Sequence, residues 1–280
     1  MKKSQGPLHG AFLRGILWDH RQEVTFSFRH QSGSENQREK TRVLVEECFL
    51  YTNLSVIWVE DGMGVVRISF DDDRDSSSYI GKQCHQAPRG CATTNLRSID
   101  PNTTQPSPEE AFTILHECGH ICGLVHEHQV PGRRGHFNFI ESEVQNRFGP
   151  NGYRWSQEDI RENITRLHQR KHIENCSRFD RNSIMMYEFP ASLTYEGVGA
   201  PLNKSLSDID KAVLTLNYPR LEPHPEALNW TVSYAVDILG IDGEFRECIV
   251  AAKDPRDIRK YYTDWSTEQV GNGPVSGNGT

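Results

Sequence analysis

Residues 116–126 read HECGHICGLVH, and the rest of the chain is best interpreted outward from this stretch. His116 and His120 are four residues apart, so both imidazoles project from one face if the stretch is helical. Two imidazoles at this spacing can hold one zinc ion at about 2.0–2.1 Å from each nitrogen. Glu117 points slightly aside, where it can reach a water on the metal but not the metal itself. The pattern predicts a metal site with a general base beside it.

The residues around this stretch carry the signals of a helix that begins and ends close by. Ser107 can cap the first amide groups, Pro108 suits the first turn, and the glutamates that follow favour the positive end of the helix dipole. Gly123 tolerates positive φ, so it ends the helix and lets the backbone turn sharply. His126 then comes round as the third metal ligand. We predict a zinc helix over about 108–123.

A second segment strengthens the metal interpretation. A short histidine pattern on a helix can also be a salt-bridged surface face, but the string HExxHxxGxxH has five fixed positions, and a chance match is improbable. Residues 183–187 read SIMMY. A lone methionine is usually only packing. Met185, placed well after the third histidine and two residues before Tyr187, is informative because this arrangement fits the extended histidine pattern.

On these residues the chain resembles the astacin branch of the metzincins, as a divergent member. The zinc segment continues to His128 as HEH, and SIMMY is similar to that family's Ser-x-Met-His-Tyr turn. Weaker likenesses lie outside the two zinc segments, at residues 17–18, 24–28, 78–81 and 207–211. The resemblance spans approximately residues 15–220.

The resemblance implies an α+β fold, a metzincin-type zincin catalytic domain with a twisted mixed sheet and an active-site helix above an irregular helical C-terminal subdomain. It implies that Met185 is a hydrophobic floor under the zinc site. It implies also that Tyr187 is a fifth zinc ligand, which swings away to stabilise the tetrahedral intermediate. In the alternative, the chain is a metzincin of the matrixin type, and Tyr187 packs in the core without a part in the chemistry. A protein or peptide substrate would bind as an extended strand in the cleft.

Some positions depart from the family's pattern. Residues 129–134 read QVPGRR, where the family has an arginine and acidic residues, and Met186 stands where histidine is usual. No upstream propeptide with an inhibitory residue is visible. These departures put in doubt the mode of activation and a role for Glu127 in holding a processed N-terminus. We expect Glu127 to be a structural salt-bridge or hydrogen-bond partner and His128 to be a surface residue.

The order of the predicted elements favours the same fold class. Alternating β-branched and aromatic residues predict a strand at 24–28, and an amphipathic pattern predicts a helix at 36–53. Further elements follow as strands at 56–60, 65–70 and 92–96 and as helical stretches near 156–169 and 207–216. Strands first, a central helix, then helices and loops indicate α+β rather than an alternating doubly wound sheet. We expect 90–96 to form the edge of the sheet beside the cleft.

The chain divides at a Pro-rich link after residue 220. We predict an astacin-like catalytic domain over 1–220, with the methionine turn at 183–187. A helical C-terminal extension over 221–270 and a flexible Gly/Ser/Asn-rich tail over 271–280 follow.

Composition excludes several classes of function. Of the 280 residues, 36% are hydrophobic and 25% are charged, which is typical of a soluble globular chain. The formal net charge of −7 gives no broad attraction to nucleic acid or anionic lipid. The longest apolar runs are far too short to span a bilayer. We expect neither a nucleic-acid nor a membrane partner, and the oligomeric state stays open.

Seven cysteines form an odd set, so at least one is free or pairs with another chain. Cys84 and Cys91 bracket a loop and could close a small ring. Cys118 and Cys122 lie on the zinc helix, rotated away from the histidines, so we expect buried thiols that do not bind the zinc. Seven Asn-x-Ser/Thr sequons occur, but such tripeptides are frequent by chance. We expect a secreted or extracellular location rather than a cytoplasmic one, although no signal peptide is visible.

The sequence thus predicts a zinc-dependent metalloendopeptidase (EC 3.4.24 type) with one catalytic Zn²⁺. Three histidines bind the metal, Glu117 is the general base, Tyr187 stabilises the oxyanion, and Gly123 and Met185 are structural. The alternative is a catalytically silent zinc-containing binding module of the same fold. The intact Glu117 argues against that alternative, because a silent copy has no need of this carboxylate.

Overall fold

The computed structural model describes residues 12–71, 75–130 and 137–271. The strands within these ranges are β1 (Phe12–Leu13), β2 (Glu23–Phe28), β3 (Ser55–Trp58), β4 (Val66–Ser69), β5 (Ser77–Ser78), β6 (Thr94–Asn95) and β7 (Ile173–Asn175). The α-helices are α1 (Glu35–Phe49), α2 (Pro108–Cys122), α3 (Glu141–Phe148), α4 (Gln157–Ile160), α5 (Asp208–Asn217), α6 (Val232–Leu239), α7 (Gly243–Ala251) and α8 (Pro255–Gly271).

Five strands form one mixed sheet in the order β3-β2-β4-β6-β5. β2 is parallel to both β3 and β4, and β4 is parallel to β6, whereas β5 runs antiparallel to β6. α1 connects β2 to β3, as a parallel connection requires. β1 and β7 pair antiparallel in a separate two-stranded sheet. The predicted α+β class with a mixed sheet and an active-site helix is confirmed.

The edge of the sheet differs from the prediction. β6 falls within residues 90–96, but it lies between β4 and β5, so the expectation that 90–96 forms the edge was wrong. The chain turns back after β5, and Ser78 then pairs antiparallel with Thr94 on the outer side. The two hydroxyls are 2.9 Å apart and both are buried. Strand propensity at 92–96 does not indicate which neighbour lies outside it.

The zinc helix α2 lies in the largest hydrophobic core. Phe26 of β2, Leu115 of α2, Leu214 of α5 and Tyr262 of α8 belong to this one core, and each is at most 1% exposed. The predicted domain boundary at residue 220 stays a prediction, but side chains from both sides of it pack together. The predicted tail at 271–280 falls, apart from its first residue, outside the described residues.

A second hydrophobic cluster lies in the half of the chain that follows α2. It contains Phe137, Phe148, Met186 and Phe189, all buried. The helical stretch expected near 156–169 is α4, which continues as a single wider π turn over Arg161–Thr165. This cluster fixes the backbone next to the SIMMY segment.

All seven cysteines lie in the described part of the chain, and none of them forms a disulfide. The ring that Cys84 and Cys91 could close does not form. Cys118 and Cys122 are buried, as their position on the core side of α2 led us to expect. Across the described ranges, none of the helices has the length and apolar character that crossing a membrane requires.

Candidate metal centre

The helix that carries the first two histidines is fixed at both ends. Ser107 accepts a hydrogen bond from the Glu110 amide, and the Glu110 carboxylate accepts one from the Ser107 amide, which completes a capping box. Gly123 ends α2 with φ of +102°, in the left-handed region that favours glycine. The chain therefore reverses within one residue, and His126 is returned toward the helix.

Three histidines converge on one point. His116, His120 and His126 each offer a ring nitrogen, and these nitrogens all lie within 4.8 Å of one another. All three side chains are at most 3% exposed. The Nε2 atoms of His116 and His126 are 3.1 Å apart. Two nitrogens bound to one tetrahedral zinc at 2.0–2.1 Å would be about 3.3 Å apart, so the spacing fits a shared ion.

Backbone carbonyls orient two of these imidazoles. His116 Nδ1 donates to the Ile184 carbonyl at 2.9 Å, and His120 Nδ1 donates to the Leu124 carbonyl at 2.8 Å. Since Nδ1 carries the proton, Nε2 is left as the ligand atom. Burial lowers the pKa of His116 to about 4, although its hydrogen bond to the Ile184 carbonyl acts in the opposite direction. The ring is therefore neutral, as a metal ligand must be.

Glu117 lies next to this group. The residue is 5% exposed, and its Oε2 is buried with no hydrogen-bond partner among the described residues. Burial raises the pKa of Glu117 to about 8, and a cation held by the three imidazoles would act in the opposite direction and favour the carboxylate. An orphaned buried carboxylate oxygen is costly unless something occupies the space in front of it. The three-imidazole set with one open position, beside this oxygen, fits a catalytic zinc ion.

Tyr187 packs directly on the histidines. Its ring is stacked on His116 at 5.4 Å between centroids and lies 4.3 Å from the ring of His126. Burial and the charge of Glu117 raise the pKa of the Tyr187 hydroxyl above its usual range. The hydroxyl therefore stays protonated at neutral pH and can donate a hydrogen bond.

Met185 lies beneath the helix. It is 1% exposed, and a Cβ at Gly119 would collide with its Sδ. This contact closes the side of α2 on which the imidazoles stand. The Glu127 amide donates to the Met185 carbonyl at 3.0 Å, which joins the turn after the third histidine to the SIMMY segment.

Two carboxylates brace the same segment. Glu127 Oε1 accepts from the Asp180 amide at 2.7 Å, so its role as a hydrogen-bond partner agrees with the expectation. Asp210 accepts from Ser183 Oγ at 2.6 Å and from the Ile184 amide at 2.7 Å. Sequence reasoning missed Asp210, although its place in the Ser-x-x-Asp start of α5 was a signal.

His128 is not a surface residue, and that prediction was wrong. Its side chain is fully buried, and its ring stacks on His126 at 5.1 Å between centroids. His128 Nε2 donates to the Asn163 carbonyl at 2.9 Å. The aromatic cluster around Phe189 covers it, and that cover comes from a distant part of the chain. Of the divergent segment 129–134, residues 131–134 fall outside the described residues.

Comparison with solved structures shows which proteins share this fold. The chain is similar to myroilysin, at 29% identity and a TM-score of 0.68 over 75% of this chain and 99% of that one. A second myroilysin structure is 28% identical, with a TM-score of 0.54 over 74% and 87%. High choriolytic enzyme 1, a hatching enzyme zinc-protease from Oryzias latipes (medaka fish), is 14% identical with a TM-score of 0.45 over 76% and 98%, a likeness too distant to support an argument. No family model matches the chain, and no curated protein matches it.

The fold is therefore that of the astacin-like metalloproteases. Myroilysin is one protein with a similar fold, and the chain resembles it as a divergent astacin-like protein. The predicted resemblance is confirmed.

Proposed function

We propose that the chain is a zinc-dependent endopeptidase that hydrolyses peptide bonds in protein substrates (EC 3.4.24 type). The observation that carries the proposal is the convergence of His116, His120 and His126 beside the orphaned Oε2 of Glu117. The resemblance to myroilysin supports a metalloprotease in general. One histidine group of this kind lies in the described residues, so we propose one catalytic ion per chain.

Glu117 is the general base of the proposed reaction. The three imidazoles would hold a zinc ion, which would supply Lewis acidity toward the substrate carbonyl and the attacking water. Glu117 Oε2 accepts the proton of the attacking water and then returns it to the leaving amine. The burial of this carboxylate excludes other hydrogen-bond partners, so the oxygen stays available to the reacting water.

Tyr187 stabilises the oxyanion in this proposal. Its protonated hydroxyl donates a hydrogen bond to the oxygen that gains charge as the carbonyl is attacked. Stacking on His116 keeps the ring beside the site in the present conformation. The family resemblance further implies that Tyr187 is a fifth zinc ligand that can leave the metal.

The substrate binds as an extended strand along the sheet edge, which we now place at β5 (Ser77–Ser78) rather than at 90–96. An edge strand presents unpaired backbone groups, and a peptide can satisfy them by pairing as a further strand. Because α2 packs against β5, the bound peptide would pass beside the histidine group. Secretion stays an expectation that the resemblance supports.

Replacing Glu117 with Gln tests the mechanism. We expect one zinc ion per chain to be retained and casein cleavage to fall by about 10²–10⁴-fold, because the proton acceptor is lost while the imidazoles remain. Metal content and cleavage rate are the measurements. Glu109→Gln, an exposed glutamate on the same helix, is the matched control and should cleave normally.

The outcome also separates enzyme from binding module. Wild-type protein that holds zinc but cleaves neither casein nor any member of a peptide library would favour the silent module. Normal turnover by the Glu117→Gln variant would contradict the role of Glu117.

Replacing Tyr187 with Phe tests the oxyanion role. We expect zinc affinity to change little and kcat to fall by about 10²–10³-fold, as for other oxyanion donors, with KM nearly constant. Steady-state kinetics on a peptide substrate measure kcat and KM separately. An unaltered kcat would show that Tyr187 is merely packed, as in the matrixin-type alternative.

A further inference from the structure

A second cluster of potential metal ligands lies on the opposite side of the zinc helix. The Sγ atoms of Cys48, Cys118 and Cys122 all lie within 4.8 Å of one another. Cys48 comes from α1, and the other two are one turn apart on α2. Each of the three residues is at most 1% exposed, and each is a free thiol. We call this group the thiol cluster.

The thiol cluster repeats the construction of the histidine site. In both, α2 supplies two ligands at positions i and i+4, and a third ligand comes from another segment. Cys118 and Cys122 each follow a zinc-site histidine by two residues, which is about 200° around the helix. The two groups therefore use opposite faces of α2, and occupation of one does not require the ligands of the other.

The spacing suits a three-coordinate ion. An ion at about 2.3 Å from each of three sulfurs, in their plane, places the sulfurs about 4 Å apart. The observed separations of at most 4.8 Å need only a small adjustment to reach this geometry. Cys84 is also buried in the same core, at 3% exposure, but belongs to neither potential metal group. A cysteine can therefore be buried in this core without lying close to other cysteines.

The surroundings favour a soft ion that takes three ligands. Backbone carbonyls at this end of α2 are already engaged, because Ile121 accepts from Trp18 Nε1 at 2.7 Å and Cys122 accepts from Tyr218 Oη at 2.6 Å. Sulfur-only sites favour Cu(I) over hard ions. A structural zinc ion takes four ligands in a tetrahedron, whereas this cluster offers three sulfurs. Cu(I) therefore fits both the sulfur-only ligand set and the number of ligands.

We propose that the thiol cluster of Cys48, Cys118 and Cys122 is a second metal site, specific for monovalent copper. Each thiol that binds the ion as a thiolate loses its proton to solvent, so an S–H bond is replaced by a Cu–S bond, with no electron transferred. Copper must therefore arrive already reduced. The proposal is independent of the peptidase function, since it uses none of the zinc-site residues. The bound ion would tie α1 to the back of the zinc helix.

A titration with Cu(I) tests the proposal. The protein is zinc-loaded and carries Cys91→Ser and Cys248→Ser, which remove the two thiols that are not buried. Cu(I) is added without oxygen, in competition with a chromogenic Cu(I) chelator. We expect one Cu(I) to bind per chain and the zinc to be retained. No copper binding, or displacement of the zinc by copper, would overturn the proposal.

Single replacements locate the site. In the same background, Cys48→Ala should lower the Cu(I) affinity by at least about 100-fold, because a direct ligand is lost. Cys84→Ala, the control at an equally buried cysteine, should leave it unchanged. If Cys48→Ala fails to fold, as judged by circular dichroism, the near-isosteric Cys48→Ser takes its place. Equal affinity in the Cys48 and Cys84 variants would place the copper elsewhere and contradict the proposal.

A thiol count excludes the competing state of the cluster. After denaturation without reductant, the background protein should show all five cysteines that remain after two of seven are replaced as free thiols. A deficit of two thiols that disappears in the Cys48→Ala variant would identify a disulfide between α1 and α2. That result would overturn the metal site.

Discussion

At the scale of single residues, Gly119 shows how the zinc site constrains the helix that carries it. It lies between the histidine pair on α2, where Met185 Sδ fills the space that a Cβ would need. Alanine is the better helix former by about 1 kcal/mol, so helix propensity alone favours replacement. Met185 is 1% exposed and has little room to move. Close packing therefore outweighs propensity at this position.

We expect Gly119→Ala to destabilise the protein by about 1–3 kcal/mol, the usual cost of overpacking a core. Urea denaturation would measure the change, with Thr113→Ala on the same helix as the control. A double variant that also carries Met185→Ala should lose less than the sum of the two single variants, because the smaller side chain removes the clash. A stabilising effect of Gly119→Ala would contradict this account.

At the scale of elements, a buried ion pair holds the N-terminus of α2 against α1. Lys40 Nζ lies 2.8 Å from Glu110 Oε1, with side-chain exposures of 0% and 6%. The ammonium also donates to the Asp100 carbonyl and to Thr103 Oγ1, each at 2.9 Å. Glu110 is at the same time the capping-box residue of α2. One carboxylate thus starts the zinc helix and fixes it to its neighbour.

We expect Lys40→Ala to cost about 3–5 kcal/mol, because it leaves the buried Glu110 carboxylate without its cation. Arg42 is the matched control on the same helix, where it pairs with the exposed Glu35 and Glu39. Arg42→Ala should cost no more than about 1 kcal/mol. Chemical denaturation of the two variants measures both effects. Equal losses of stability in the two variants would show that the buried ion pair contributes no more than the exposed one.

At the scale of the whole molecule, the last helix closes the fold against the first segments. Arg259 of α8 donates to the Trp18 and Asn217 carbonyls at 3.3 and 2.6 Å. His20 lies in the same junction, where burial, and then the positive charge of Arg259, lower its pKa to about 4. The hydrogen bond between Arg259 and Trp18 joins residues more than 200 positions apart. Stability at this junction therefore depends on a neutral His20.

The sign of the pH dependence follows from this shift. Because the pKa of His20 is lower in the folded state than the usual 6.5, the unfolded state binds more protons between pH 6.5 and pH 4. Stability is present above pH 6.5 and is lost as the pH falls. We expect His20→Gln to remove about 1 kcal/mol of that loss of stability, since the ring is partly exposed and its charge is partly screened. Denaturation midpoints at several pH values measure it, with the exposed His30→Gln as control.

The candidate site was largely predictable from residues that are close in sequence. Two histidines and a glutamate within one helical turn, a capping signal before them and a glycine after them are local features, and local geometry determines where they point. The α+β class followed in the same way from the order of the elements. His128 and the sheet edge were wrong because each depends on a segment that packs there from elsewhere.

The sequence by itself determined the zinc helix, its ends and the identity of the three histidines, since helix periodicity and a glycine at positive φ are properties of neighbouring residues. Only the tertiary structure decided what surrounds that helix. It brought Met185 under Gly119, Asp210 against the SIMMY segment, and Cys48 against the back of α2, because long-range packing is not encoded in any short pattern. The stretch HECGHICGLVH therefore carries a pair of histidines and a pair of cysteines on one helix. Only the fold brought Cys48 to the cysteine pair.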